Sequence, residues 1–194
     1  MVTLTELLWA LIGLLLTIGG NFLKASIVGL PWTWSLQGIP AHFLGVNYQI
    51  GAVLLVGCLG GKNAAVISQI AYLGLGLAGF PFFMNGGGIG YLREPTFGYL
   101  LGFLPGAWLC GYLAFRAAPR LEWLAVCCLS GLATIHATGM LYLSAVYGLK
   151  LADASKVPLL QALMTYSVNL LPGQLAVVCA IALAAYAVRR AMFY

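Results

Sequence analysis

The chain has 194 residues, of which 62% are hydrophobic and 7% charged, with 9 Lys and Arg against 4 Asp and Glu. A water-soluble domain carries ~25% charged residues to keep its surface hydrated. This composition therefore excludes a soluble enzyme, a disordered linker and a nucleic-acid module with a basic face. The formal net charge of +5 is that of cytoplasmic loops and lipid-headgroup contacts in a membrane chain, with no call for nucleic acid. The sequence reads as an integral membrane protein.

A membrane-crossing helix needs ~20 mostly apolar residues, and such runs recur along the chain. The first covers residues 7–22. Glu6 is the only charged side chain before Lys24, so the run lacks the basic start of a signal peptide and reads as a retained span. Residues 24–44 hold Pro31, Pro40, Trp32 and Trp34, which suit an interfacial loop capping the outer face. Residues 45–59 form the second span, Gly60-Gly61-Lys62 a tight turn, and residues 64–80 the third span. Small residues such as Gly74 and Ala78, four apart, let helices pack closely in lipid. A glycine-rich loop, 81–94, carries Asn85, Gly86, Gly87, Gly88 and the adjacent Arg93-Glu94. The fourth span, 95–115, opens with Pro95 at the first helical position. A short connection with Arg116, Arg120 and Glu122 leads to the fifth span, 123–147. The loop 150–156 carries Asp153, and the sixth span, 159–188, ends at Arg189-Arg190.

The expected fold class is all-α: a polytopic membrane protein of about six transmembrane helices, forming one transmembrane unit over residues 1–194. An even number of spans puts both termini on one side. Placing them in the cytoplasm sets Lys62, Arg116, Arg120, Arg189 and Arg190 inside, against Lys24, Arg93, Lys150 and Lys156 outside.

Enzymatic constellations are not apparent. Glu6, Glu94, Glu122 and Asp153 fall at span edges or in loops, and no nucleophile motif accompanies His136. A lone histidine in an apolar helix reads as a helix-packing hydrogen bonder. Cys58, Cys110, Cys127, Cys128 and Cys179 lie in apolar runs without a CxxC pair, so they read as small packing residues and no metal or cofactor is expected. The absence of a Walker A motif assigns any ATP coupling to another protein.

Polar groups at membrane depth are costly and point to function. Asn47 and Gln49 open the second span, Gln69 lies in the third, and Gln161 opens the sixth. Asn169 and Gln174 flank Pro172-Gly173, a step expected to interrupt the sixth helix and free a carbonyl. Their amides suit either a ligand or a neighbouring helix. Arg93 offers a guanidinium able to grip a carboxylate in bidentate fashion, or to pair locally with Glu94. The Gly86–Gly88 run permits close backbone approach, with Gly87 at its centre, or a flexible connection.

Residues Gly57-Cys58-Leu59-Gly60-Gly61-Lys62, Tyr72 and Gly79-Phe80-Pro81-Phe82-Phe83 resemble the BioY family. So does Glu94-Pro95-Thr96-Phe97-Gly98-Tyr99-Leu100-Leu101-Gly102-Phe103, similar to that family's Gly-Pro-Thr-x-Gly-Tyr-Leu-x-Gly-Phe signature. The likeness continues in 135–143 and in Leu170-Leu171-Pro172-Gly173-Gln174; the first 45 residues match poorly. The resemblance implies the S-component fold of energy-coupling-factor transporters and a biotin pocket near the outer face under the first loop. Biotin and membrane lipid would be its contacts, with a transmembrane coupling protein and two ATPase subunits as partners in the cell membrane. On that reading Asn85 and Arg93 hold polar ends of the ligand. Tyr99, Trp32 and Trp34 line or lid the pocket, and Gln49, Asn169 and Gln174 supply amide contacts. The family usually has an acid and a lysine in the sixth helix where this chain has Gln174 and Val177. The alternatives are the same fold with another small carboxylate, or a membrane enzyme or assembly factor using His136.

Overall fold

The computed structural model describes residues 2–29, 41–149 and 158–192. Helix α1 (Leu4–Phe22) starts at a reciprocal cap, in which the Thr3 hydroxyl accepts from the Glu6 backbone N–H and the Glu6 carboxylate accepts from that of Thr3. Two otherwise orphaned helix donors are satisfied in this way. Ala10, Gly13, Thr17 and Gly20 form its buried stripe, while Leu8, Leu11 and Leu15 are exposed on the outer face. The stripe is small because the neighbour is close: a Cβ at Gly13 would meet Val56 and Ser68 at 2.9 Å.

The segment expected to be an irregular loop contains strand instead. β1 (Lys24–Val28) pairs antiparallel with β2 (Ala41–Asn47), with an irregularity between Lys24 and Ser26. The extended run Ala25–Val28 includes two β-branched residues, a preference that the expectation of a proline-broken loop overlooked. Trp32 and Trp34 lie outside the described residues.

α2 (Gln49–Leu77) is one helical element with a reversal inside it, because Gly61 adopts φ 77° and ψ 178°. A straight helix would separate Gln49 and Tyr72 by ~34 Å, yet their side chains are hydrogen-bonded at 2.6 Å. The element is therefore two antiparallel arms, 49–60 and 62–77, meeting at the glycine turn expected there. Only glycine adopts this positive φ without steric cost.

The remaining helices are α3 (Phe97–Ala114), α4 (Leu121–Gly148), α5 (Leu159–Tyr166) and α6 (Leu171–Ala191). α3 starts after Thr96, so Pro95 precedes the helix and does not occupy its first position. The sixth span is broken, but not where the sequence suggests. α5 ends at Tyr166, Val168–Leu170 form a single tight 3-10 turn, and Pro172 sits in the first turn of α6. A proline there loses no helix bond, since the first amides have no partner in any case. The step read as a kink is a helix start.

Among the described residues, five helical stretches are long and apolar enough to cross a membrane, Leu159–Ala191 counted as one. With α2 folded at Gly61, α1, the two arms, α3, α4 and α6 form six antiparallel rods. The hairpin end gathers Gly20, Gln49, Tyr72, Tyr99, Gly139 and Gly173. The far end gathers Glu6, Gly61, Gly111 and Arg189. Glu6 bonds Asn63 and Arg189 donates to the Ala114 carbonyl, so both described ends of the chain lie together. An apolar core around Tyr72, Phe83, Phe97, Phe103 and Ile135 fills the hairpin half, and one around Leu54, Cys58, Leu124 and Leu132 fills the far half.

Candidate ligand-binding site

Two clusters of hydrogen-bonded polar groups lie in the hairpin half, besides the buried Thr17, Ser68 and Gln69. In the first, Gln49 Nε2 donates to the Tyr72 hydroxyl at 2.6 Å, and that hydroxyl donates to the Phe82 carbonyl at 3.0 Å. Asn21 donates to the same carbonyl at 3.0 Å, and Asn47 donates to the Asn21 side-chain oxygen at 3.0 Å. The Phe82 carbonyl thus ties the glycine-rich loop to α1, to the end of β2 and to both arms of α2.

The second cluster joins α3, α4 and the broken sixth span. His136 Nε2 lies 2.5 Å from Gln174 Oε1, and both residues are buried. Tyr99 stands edge-on to the His136 ring, with centroids 5.8 Å apart, and its hydroxyl lies 2.6 Å from that of Ser167. Glycines allow this closeness. A Cβ at Gly139 would strike the Tyr99 ring, and one at Gly173 would strike the Leu44 carbonyl of β2. Val46 and Val177 pack together with Ala25 in an apolar group beneath the hairpin. At position 177 an apolar side chain therefore seals α6 against the cap, where a lysine would have to be solvated or paired.

The glycine-rich loop is held by aromatic contacts that run Tyr72–Phe83–Tyr91–Phe97–Tyr142, with successive centroids 4.7 to 6.3 Å apart. Phe83 and Gly86 exchange two backbone hydrogen bonds of 3.1 Å around Asn85. Gly87 presses against the carbonyls of Gly76 and Phe80, so the close approach it permits in this structure is to the chain's own backbone.

The sequence-predicted residues divide accordingly. Gln49 and Gln174 are buried and Tyr99 half-buried, whereas Asn85, Gly87, Arg93 and Asn169 are exposed at the same end. Sequence reasoning missed Tyr72 and Ser167 as polar partners, and it read His136 as a helix-packing group or, in the alternative, as the working residue of a membrane enzyme or assembly factor, without pairing it with Gln174. Tyr72 lies four residues after Ser68 and three after Gln69 on a helix with no amphipathic contrast, which left no periodic signal to find.

Two other places lack this convergence. A cavity of about 390 Å³ at the far end is lined in part by Glu6, Lys62, Asn63, Tyr112 and Arg116, but Glu6 bonds Asn63 and Arg116 bonds Tyr112. The Cys58, Cys110 and Cys128 thiols lie within 4.8 Å of one another. They are the group of described residues close enough to share a metal ion, yet all three are wholly buried and in thiol–thiol contact, with Cys58 3.7 and 3.5 Å from the other two.

The BioY family description matches residues 33–193. A probable biotin transporter BioY from Lysinibacillus sphaericus is 42% identical over 106 residues, covering 54% of each chain, so the match spans about half that relative's length. The biotin transporter BioY of Thermotoga maritima is 34% identical over 126 residues, 64% of this chain and 71% of that one. Among solved structures, the S-component for biotin from an ECF-type ABC transporter superposes with a TM-score of 0.69. It covers 95% of this chain and 90% of that one at 22% identity, a likeness of fold. The chain belongs to the BioY family.

Proposed function

We propose that this chain is the biotin-binding component of a vitamin-uptake transporter, energised by a separate transmembrane coupling protein and two ATPase subunits. The observation that carries the reading is the convergence of Gln49, Tyr72, Tyr99, His136 and Gln174 at one end of the bundle beneath a β-hairpin. A ureido ring with a carboxylate tail needs amide-type donors and acceptors, apolar walls and one cation. Arg93, exposed at the same end, supplies the cation, with Asn85 beside it in the loop. Asn169 borders the site from the 3-10 turn, while Trp32 and Trp34, assigned to the pocket lining or lid by the family resemblance, lie outside the described residues. The names of the relatives support the ligand, and the shared fold supports the transporter setting.

The hairpin end faces outward on this reading, and the termini lie in the cytoplasm of a cell-membrane protein. Lys62, Arg116, Arg120, Arg189 and Arg190 gather toward the far end, in keeping with the excess of cations on cytoplasmic loops. Titration calorimetry of biotin into the detergent-solubilised chain tests the function. Wild type and Arg116→Ala should bind tightly, and Arg93→Ala should bind at least tenfold more weakly. Equal affinity in the two variants removes Arg93 from the site. No binding by a folded wild type removes biotin, and a panel of other small carboxylates then follows.

A further inference from the structure

The pairing of His136 with Gln174 sets the polarity of the hydrogen bond that α6 offers a ligand. An amide side chain presents one acceptor oxygen and one NH2 donor. Gln174 Oε1 lies 2.5 Å from His136 Nε2, and because that oxygen can only accept, the histidine donates to it from Nε2–H. His136 Nδ1 is buried without a partner among the described residues. Gln174 Nε2 makes no hydrogen bond to any described residue, and it is absent from the fully buried unpaired atoms. The open side of the amide is its donor. Gly173, the preceding residue, lies against Leu44 and Val46 of β2, which sets this turn of α6 next to the cap.

We propose that His136 is a positioning residue that fixes the Gln174 amide with its NH2 toward the ligand, so the ligand group recognised there is an acceptor oxygen. For the biotin reading on which this rests, that oxygen is the ureido carbonyl, since Arg93 serves the carboxylate at the other end. A carboxylate at position 174 would present an acceptor and select a ligand donor. The two side chains are nearly the same shape, so glutamine and glutamate differ there in hydrogen-bond polarity and charge more than in packing.

The probe pair is biotin and 2-iminobiotin, in which a protonated imino group replaces the ureido carbonyl oxygen. Wild type should prefer biotin by at least tenfold, and Gln174→Glu should reverse the order. His136→Phe frees the amide to rotate and should bring the biotin-to-iminobiotin ratio toward one, a change that mere loosening of the helix packing would not produce. Tight biotin binding by wild type with the same ratio in Gln174→Glu overturns the polarity assignment and leaves the function standing. A reversed ratio in Gln174→Glu with an unchanged ratio in His136→Phe overturns the role of His136. Binding of neither compound by folded wild type overturns the biotin reading and this assignment with it.

Discussion

The hydroxyls of Tyr99 and Ser167 lie 2.6 Å apart and join α3 to the break in the sixth span. Ser167 is buried at the point where helical geometry fails, with φ −120° and ψ −69°. A side-chain bond at a helix break offsets the loss of regular backbone pairing there. Tyr99→Phe and Ser167→Ala each remove it. Interhelical hydrogen bonds in membranes contribute ~0.6 kcal/mol on average and up to ~1.7 kcal/mol. A double-mutant cycle on thermal unfolding in detergent should therefore return a coupling in that range, and strict additivity would mean that the two hydroxyls do not depend on each other.

Tyr72→Phe tests the other cluster. The tyrosine is wholly buried, accepts from Gln49 and donates to Phe82. Phenylalanine keeps the ring packed against Phe83 but leaves the Gln49 amide nitrogen without that partner. A buried group orphaned in this way costs about 1–3 kcal/mol. The variant should unfold at a lower temperature and bind biotin more weakly, because the loop carrying Asn85 and Arg93 loses one of the two side-chain hydrogen bonds to its Phe82 carbonyl. Asn21→Ala removes the other and should weaken binding in the same direction.

The spans were legible because bulk apolarity over ~20 residues is a strong signal, and the turn at Gly60-Gly61-Lys62 was legible because glycine and lysine interrupt such a run. The hairpin was not. Its strands are short and flank a segment whose prolines and tryptophans dominated the reading. Pro172 was misplaced because a proline that breaks a helix and one that starts a helix look alike in sequence; Ser167 makes the break, and nothing in its residue type announces it. In the site, Gln49 and Gln174 were visible as costly polar groups at depth, and Tyr99 through the Pro-Thr-x-Gly-Tyr block of the family resemblance. Their partners were not, since His136 and Gln174 stand 38 residues apart and Gln49 and Tyr72 stand 23 apart across a chain reversal.

Gly61→Ala addresses that reversal. At φ 77° a Cβ is strained whatever space surrounds it, and the nearest atoms, in the Phe115 ring, are 3.5 Å away or more. The cost is therefore backbone strain, about 1–3 kcal/mol, with no clash to add. Thermal unfolding should fall accordingly, while biotin affinity stays near wild type, because the turn lies at the far end. A large loss of affinity would show that the two arms transmit their register to the ligand end.

Gly173→Ala should act in the opposite sense, on the ligand more than on the helix. Within a helix, alanine is intrinsically better than glycine by up to ~1 kcal/mol, so propensity alone favours the change. Here the added Cβ would strike the Leu44 carbonyl and come within 3.0 Å of Val46, and a backbone carbonyl cannot swing aside as a flexible side chain can. β2 must lift from α6, opening the seam above Gln174. The expected result is faster biotin dissociation and a net loss of stability of about 1–3 kcal/mol. Gly19→Ala is the matched control, since nothing lies within 4 Å of a Cβ at that position in α1, and it should leave both quantities unchanged or slightly improved. If Gly173→Ala behaved like Gly19→Ala, the hairpin would not be seated on α6, and the lid assigned to residues 24–44 would have to be abandoned.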